Sequence, residues 1–316
     1  MPVLEELYMT GCEYHFANAK IWNISVPTLK RLYVFRDTDW SNGDESDDQY
    51  YKLVVNAPKL ECLDLVDWVT EEFSLVNLSS LLKARVLALL SPLRSPTNDG
   101  PKTSMLLKGI ANVKILDILT EVEDYVLPTF HNLTHLRLGV ESGSCWNWDL
   151  LKDFLRCSPN IEVLILEGTR ILDSAKLWRP PPQVPSCLAL HLREIEIPQF
   201  DGKEYQLDLI KYLLENAKVL KKMTIGYLDS SSCVCNLSEK QKESGSCFCR
   251  AFSAFPRGSK TCELNIRLRE LLGDDIRAGL QVNPEFKRQS FQPSVAFRTT
   301  YVSASCAHAK DSSFIF

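Results

Sequence analysis

Apolar residues recur along this chain at the spacing Leu-x-x-Leu-x-Leu, and eight copies run from Leu4 to Ile225. They are Leu4, Leu7 and Met9; Leu29, Leu32 and Val34; Leu60, Leu63 and Leu65; Val113, Leu116 and Ile118; Leu133, Leu136 and Leu138; Ile161, Leu164 and Leu166; Leu192, Ile195 and Ile197; Leu220, Met223 and Ile225. The last two apolar positions of each copy alternate with other residue types, which is the period of a strand with one buried face. Each copy therefore predicts one short strand.

The first positions are separated by 25, 31, 53, 20, 28, 31 and 28 residues. The long interval leaves room for one degraded unit near Leu82 to Leu89, and the mean period is then about 27 residues, inside the range of leucine-rich repeats. Pro2, Pro27, Pro58 and Pro159 stand two residues before the first apolar position of their units, where a proline removes no ladder donor. The expected fold class is α/β: a leucine-rich-repeat solenoid, a curved parallel sheet with helices and loops on the convex side. Trp148, Leu150, Leu151, Phe154 and Leu155 fall at helical spacing, and Arg156-Cys157-Ser158-Pro159 closes that helix. Asp201-Gly202-Lys203-Glu204 reads as a capping box for a second helix that carries Leu209, Ile210, Leu213, Leu214 and Ala217. Asp37 to Asp48, rich in Asp, Ser and Glu, reads as an exposed loop.

The 316 residues, 45% of them hydrophobic, suffice to bury a long continuous core. A net charge of -4 offers no basic field for nucleic acid. No apolar run is long enough to span a membrane, and Met1 leads directly into the first repeat without a secretory n-region. The expectation is an intracellular protein with no nucleic-acid or membrane partner. The 11 cysteines are scattered without secretory context and are expected to be reduced. The sequons at Asn23, Asn77, Asn132 and Asn236 would then be idle.

Four prolines in the six residues Pro180 to Pro185 predict an extended linker after the repeats. Three stretches follow: His191-Leu192-Arg193-Glu194-Ile195-Glu196-Ile197, Phe200-Asp201-Gly202, and Leu213 to Ile225. Together they closely resemble the FBD domain of plant F-box/FBD/LRR-repeat proteins, and Phe255-Pro256-Arg257-Gly258-Ser259-Lys260-Thr261-Cys262-Glu263 resembles its closing motif. Cys157-Ser158-Pro159-Asn160-Ile161-Glu162-Val163-Leu164 is similar to the family's last-repeat signature. The resemblance implies repeats over 1–176 and an FBD domain over 177–266; beyond the match, Asn283-Pro284, Gln292-Pro293 and the Ser/Thr-rich run from Thr299 to Ser305 interrupt any period, so 267–316 is expected to be an irregular, mobile tail. It also implies a non-catalytic scaffold, akin to the substrate-recognition part of a cullin-type ubiquitin ligase. Family members use an F-box to dock on a Skp-type adaptor. This chain starts inside a repeat, so adaptor and cullin are expected as partners only of a longer form, and the target protein is left unnamed. A stand-alone LRR interaction module is the alternative; an extracellular LRR receptor or inhibitor would need a signal peptide and paired capping cysteines.

No Gly-x-Ser-x-Gly, His-Glu-x-x-His, P-loop or Gly-x-Gly-x-x-Gly occurs, so no enzyme, cofactor or metal role is assigned. His131 and His135 straddle Leu133 in a predicted strand, about 13 Å apart at the usual rise and too far to share an ion. Cys233-x-Cys235 and Cys247-x-Cys249 lack the two-residue gap of the usual zinc turn. Function is sought instead on the concave face, where the residues flanking the second apolar position point. The protein-binding candidates are Tyr8, Arg31, Tyr33, Asp64, Asp117, His135, Arg137, Val163, Ile165 and Glu194. Tyr and Arg beside exposed aliphatics are the composition of an interface centre.

Overall fold

In the computed structural model the chain divides into two compact units. One comprises Met1–Leu133 with Phe297–Phe316, the other Thr134–Ala296. The structure describes residues 4–10, 21–36, 51–67, 70–87, 99–119, 125–139, 148–168, 178–200, 202–228, 252, 254–269, 300–303 and 313–315. The 37–48 loop, Cys233, Cys235, Cys247, Cys249 and most of the 267–316 segment lie outside them.

The first unit contains strands β1 (Glu6–Thr10), β2 (Ile21–Ser25), β3 (Arg31–Arg36), β4 (Tyr51–Asn56), β5 (Cys62–Asp67), β6 (Thr70–Val76) and β7 (Lys83–Leu87). Helix α1 (Asp99–Gly109) and β8 (Ile115–Leu119) follow. Strands β1, β3, β5, β7 and β8 pair in parallel in that order. The repeat residues Leu7, Leu32, Leu63, Ala84 and Leu116 share one register line and are buried. The degraded unit is thus a regular strand whose inward positions are Ala84 and Val86, with Leu81 buried before them.

A repeated hydrogen-bond step fixes that register. The Glu5 carbonyl accepts the amides of both Lys30 and Arg31 at 2.8 and 3.0 Å, and the Lys30 carbonyl accepts those of Glu61 and Cys62 at 2.8 and 3.0 Å. The Glu61 and Leu82 carbonyls serve the next units in the same way. Just before each step a tight turn closes, with the Leu29 amide on Val26 and the Leu60 amide on Ala57. Pro27 and Pro58 sit inside these turns, where their missing N–H costs nothing.

The return segments of this unit correct one expectation. Where helices and loops were anticipated behind the sheet, β2, β4 and β6 form a second parallel sheet. Trp22 with Ile24 and Leu53 with Val55 alternate with exposed or half-buried residues, and Phe73 is buried on β6. A period of two in Ile, Val and aromatic residues favours a pleated surface over a helix.

The second unit carries β9 (His135–Gly139), α2 (Trp148–Cys157), β10 (Val163–Glu167), α3 (Ser186–Leu190), β11 (Glu194–Phe200), α4 (Glu204–Asn216), β12 (Lys222–Leu228) and β13 (Glu263–Arg269). Its five strands pair in parallel in chain order. Here α2, α3 and α4 lie in the three return segments between β9 and β12, and α2 buries the five residues its periodicity singled out. Helix α4 begins one residue after Lys203, which has no side-chain capping bond; Asp201, the first residue of the expected capping box, lies outside the described residues. The proline-rich stretch is anchored rather than free: the Trp178 ring lies 5.6 Å from Trp148 on α2 and 5.5 Å from Tyr212 on α4.

Two short strands in the segment expected to be irregular return to the first unit. They are β14 (Thr300–Ser303), parallel to β1, and β15 (Ser313–Ile315), parallel to β2. Among the described residues the fold is α/β, with mostly parallel sheet and few helices, which is consistent with leucine-rich repeats.

Beside the Trp178 cluster, burial pushes the Cys187 thiol up to about 12 and the Tyr212 phenol up to about 12. Both groups are neutral when protonated. The unfolded chain releases these protons near the ordinary values of 9.0 and 10.0 while the folded chain still holds them, so stability falls as pH rises from about 9 toward 12. Thermal melts should show this decline, with a shallower slope in Tyr212→Phe. Identical slopes for the two proteins between pH 9 and 11 would contradict the assignment.

Candidate recognition faces and the FBD segment

Strand pairing aligns the candidate residues into rows on the sheet surface opposite the buried leucines. In the first unit one row runs Glu6, Arg31, Cys62, Lys83, Ile115, and the next runs Tyr8, Tyr33, Asp64, Arg85, Asp117. The Tyr8 and Tyr33 rings stack face to face, with centroids 4.3 Å apart and planes 2° from parallel. Burial, with the Tyr8 hydroxyl beside it, pushes the Tyr33 phenol well above its ordinary range, so it presents a neutral hydroxyl. Arg31 donates from Nε to Glu6 at 2.7 Å.

Arg85 holds two carboxylates, with Asp64 at 3.3 Å and Asp117 at 3.9 Å. Asp117 is only 7% exposed, so this candidate belongs to an internal ion network more than to a contact surface. Burial raises the Asp64 carboxyl pKa, against the pull of Arg85. Sequence reasoning missed Lys83 and Arg85, because their unit has no leucine at its inward positions. It also missed a third row, Phe35, Val66, Leu87 and Leu119, one step beyond the tyrosine row.

The second unit brings its candidates together on its own sheet. One row runs His135, Val163, Glu194, Lys222, Glu263, and the next runs Arg137, Ile165, Glu196, Thr224, Asn265. Arg137 pairs with Glu167, and His135 Nδ1 lies 2.9 Å from the Thr134 hydroxyl. Val163 and Ile165 are half-buried between His135 and Arg137 of β9 and the glutamates of β11. The ten candidates are therefore divided, five on each unit.

The segment that resembles an FBD domain carries an irregularity in β11. Ile197 pairs with Ile225 but Phe200 pairs with Tyr227, so β11 carries one extra residue around Pro198. The buried Gln206 side chain of α4 donates to the Gln199 carbonyl at 3.4 Å, reaching a group the bulge frees. Phe252 is fully buried against Phe200, with centroids 5.5 Å apart, and Phe255 packs on Phe252. The Gly258 amide donates to the Leu214 carbonyl at 2.8 Å, satisfying one orphan acceptor at the end of α4. A Cβ at Gly258 would lie 2.5 Å from the Glu215 carbonyl oxygen, so Gly258→Ala should cost about 1–3 kcal/mol. An unchanged urea midpoint in that variant would show that the closing motif is not docked as described.

Among the described residues no group of three or more His, Cys, Asp or Glu could hold a metal ion, and no helix is long and apolar enough to cross a membrane. Cys62, Cys157, Cys187 and Cys262 are free thiols.

The FBD family matches residues 180–225. An F-box/LRR-repeat protein of Arabidopsis thaliana is 33% identical over 73% of this chain and 51% of its own length. An F-box/FBD/LRR-repeat protein from the same plant is 28% identical over 83% of this chain and 56% of its own length. A further protein from that plant, named as a putative F-box/FBD/LRR-repeat protein, is 32% identical over 72% and 53%. The chain spans about half the length of the curated relatives it matches, and no solved structure matches it. Along its repeats and its FBD segment the chain is thus homologous to the plant F-box/FBD/LRR-repeat proteins.

Proposed function

We propose that the chain is an intracellular, non-catalytic protein-recognition scaffold whose repeats form a leucine-rich-repeat solenoid and whose FBD domain ends it at about residue 266. In this reading it acts as the substrate-recognition part of a cullin-type ubiquitin ligase. On the same reading a Skp-type adaptor and cullin are engaged through an F-box in a longer form; the names of the relatives include an F-box. The observation that carries the reading is the pair of ordered side-chain rows on the parallel sheets, where aromatic and aliphatic groups stand among charges. Such a surface offers area at little ordering cost, because the strands already fix the side chains that meet a partner. The docking of the Phe255–Glu263 motif on α4 supports an FBD boundary beyond residue 225.

The test begins with affinity capture of a target from plant extract and titration of the recombinant target. Tyr33→Ala and Arg137→Ala should each weaken binding by at least about 1 kcal/mol without shifting the melt. Unchanged affinity in both variants would remove the sheet faces from recognition.

A further inference from the structure

Charges on the two sheet faces are committed differently. In the first unit Glu6 is paired with Arg31, while Asp64 and Asp117 both lie against Arg85. In the second unit Arg137 is paired with Glu167, yet Glu194 and Glu196 form no ion pair among the described residues. Both project from β11 on the face that carries Val163 and Ile165, which stand directly beside them on β10. On the other side Glu194 neighbours Lys222, whereas Glu196 neighbours only Thr224. The second face therefore carries two carboxylates outside any ion pair among the described residues, Glu194 beside Lys222 and Glu196 with no cation at its register neighbours, next to half-buried aliphatic surface.

We propose that this face takes an extended basic segment of the target protein, with lysine or arginine side chains at alternate positions over Glu194 and Glu196. The proposal rests on the reading that targets lie on the sheet faces, and it names their chemistry at one of them. Glu194 and Glu196 are two residues apart on one strand, about 7 Å, which is also the separation of alternate side chains on one side of an extended partner. The long apolar stems of Lys and Arg lie naturally across Val and Ile while their charged ends reach a carboxylate. Neutral or acidic segments gain nothing from the two carboxylates and must desolvate them without return, so the pair discriminates as well as attracts. The first unit has no such selectivity to offer, since its carboxylates already face their own arginines.

A fluorescent hexapeptide of alternating lysine and valine, with its glutamate–valine counterpart, is the probe, read by anisotropy with the full chain. The basic peptide should bind, and the double variant Glu194→Gln, Glu196→Gln should weaken it at least about tenfold at low salt. Ile165→Ala should weaken it too, through a loss that persists at high salt. Asp208→Asn, an exposed carboxylate on α4, should leave binding unchanged. No binding up to about 1 mM, or equal weakening by Asp208→Asn, would overturn the proposal. Preference for the acidic peptide would overturn the charge assignment alone. Sheet-face recognition itself stands or falls separately, on whether the captured target loses affinity for Tyr33→Ala and Arg137→Ala.

Discussion

Leu164→Ala should lower the unfolding free energy by about 2–5 kcal/mol, whereas Val163→Ala, one residue away, should cost about 1 kcal/mol or less. Leu164 is fully buried, and its register neighbours Leu136 and Ile195 are buried with it. Truncation removes transfer energy and leaves a cavity that parallel strands, held at fixed spacing by their ladders, cannot close. Val163 points the other way, between His135 and Glu194, and is half-buried. Losing its methyl groups returns only a little surface to water. Urea titrations of the two variants decide the matter: equal losses would mean that the strand register is wrong.

Gly226→Ala should be comparably severe and for a different reason. A Cβ at Gly226 would fall inside van der Waals contact with the carbonyl oxygen of Pro198 on the neighbouring strand. The obstacle is backbone, so no rotamer change relieves it. The cost should reach the upper end of the roughly 1–3 kcal/mol typical of overpacking, or exceed it. Pro198 lies within the register shift of β11 against β12, between Ile197 and Phe200. A melting temperature equal to that of the unaltered chain would show that the bulge can relax.

Legibility in the sequence followed the strength of the local signal. Leucine alternation placed the strands of both units, because an apolar side chain every second residue has one physical outcome when a buried face is available. The degraded unit was placed only approximately, since Ala84 and Val86 fill their positions with little volume and resemble no leucine motif. Strands β2 and β4 went unseen: Trp22 with Ile24 and Leu53 with Val55 are runs too short to announce a second sheet without knowledge of what lies beside them. The helix start at Glu204 escaped the capping rule, because packing of Leu209, Ile210, Leu213 and Leu214 sets the helix position without a side-chain cap. On the faces, alternation gave which side chains point outward. It could not give that Asp117 lies against Arg85 or that Glu196 has no ion pair among the described residues, because both depend on the identity of the neighbouring strand. The row of Phe35, Val66, Leu87 and Leu119 was overlooked because the motif ends one residue before it.

Hydroxyl-radical footprinting of the chain with and without its captured target tests the central claim at the level of side chains. Recognition through the sheet faces predicts that oxidation of Tyr33, Val163 and Ile165 falls on binding. Ile21, Val76 and Met105, exposed at 40, 42 and 46% away from those rows, should keep their reactivity. The opposite pattern, with Ile21, Val76 or Met105 protected and the sheet-face residues unchanged, would contradict the account.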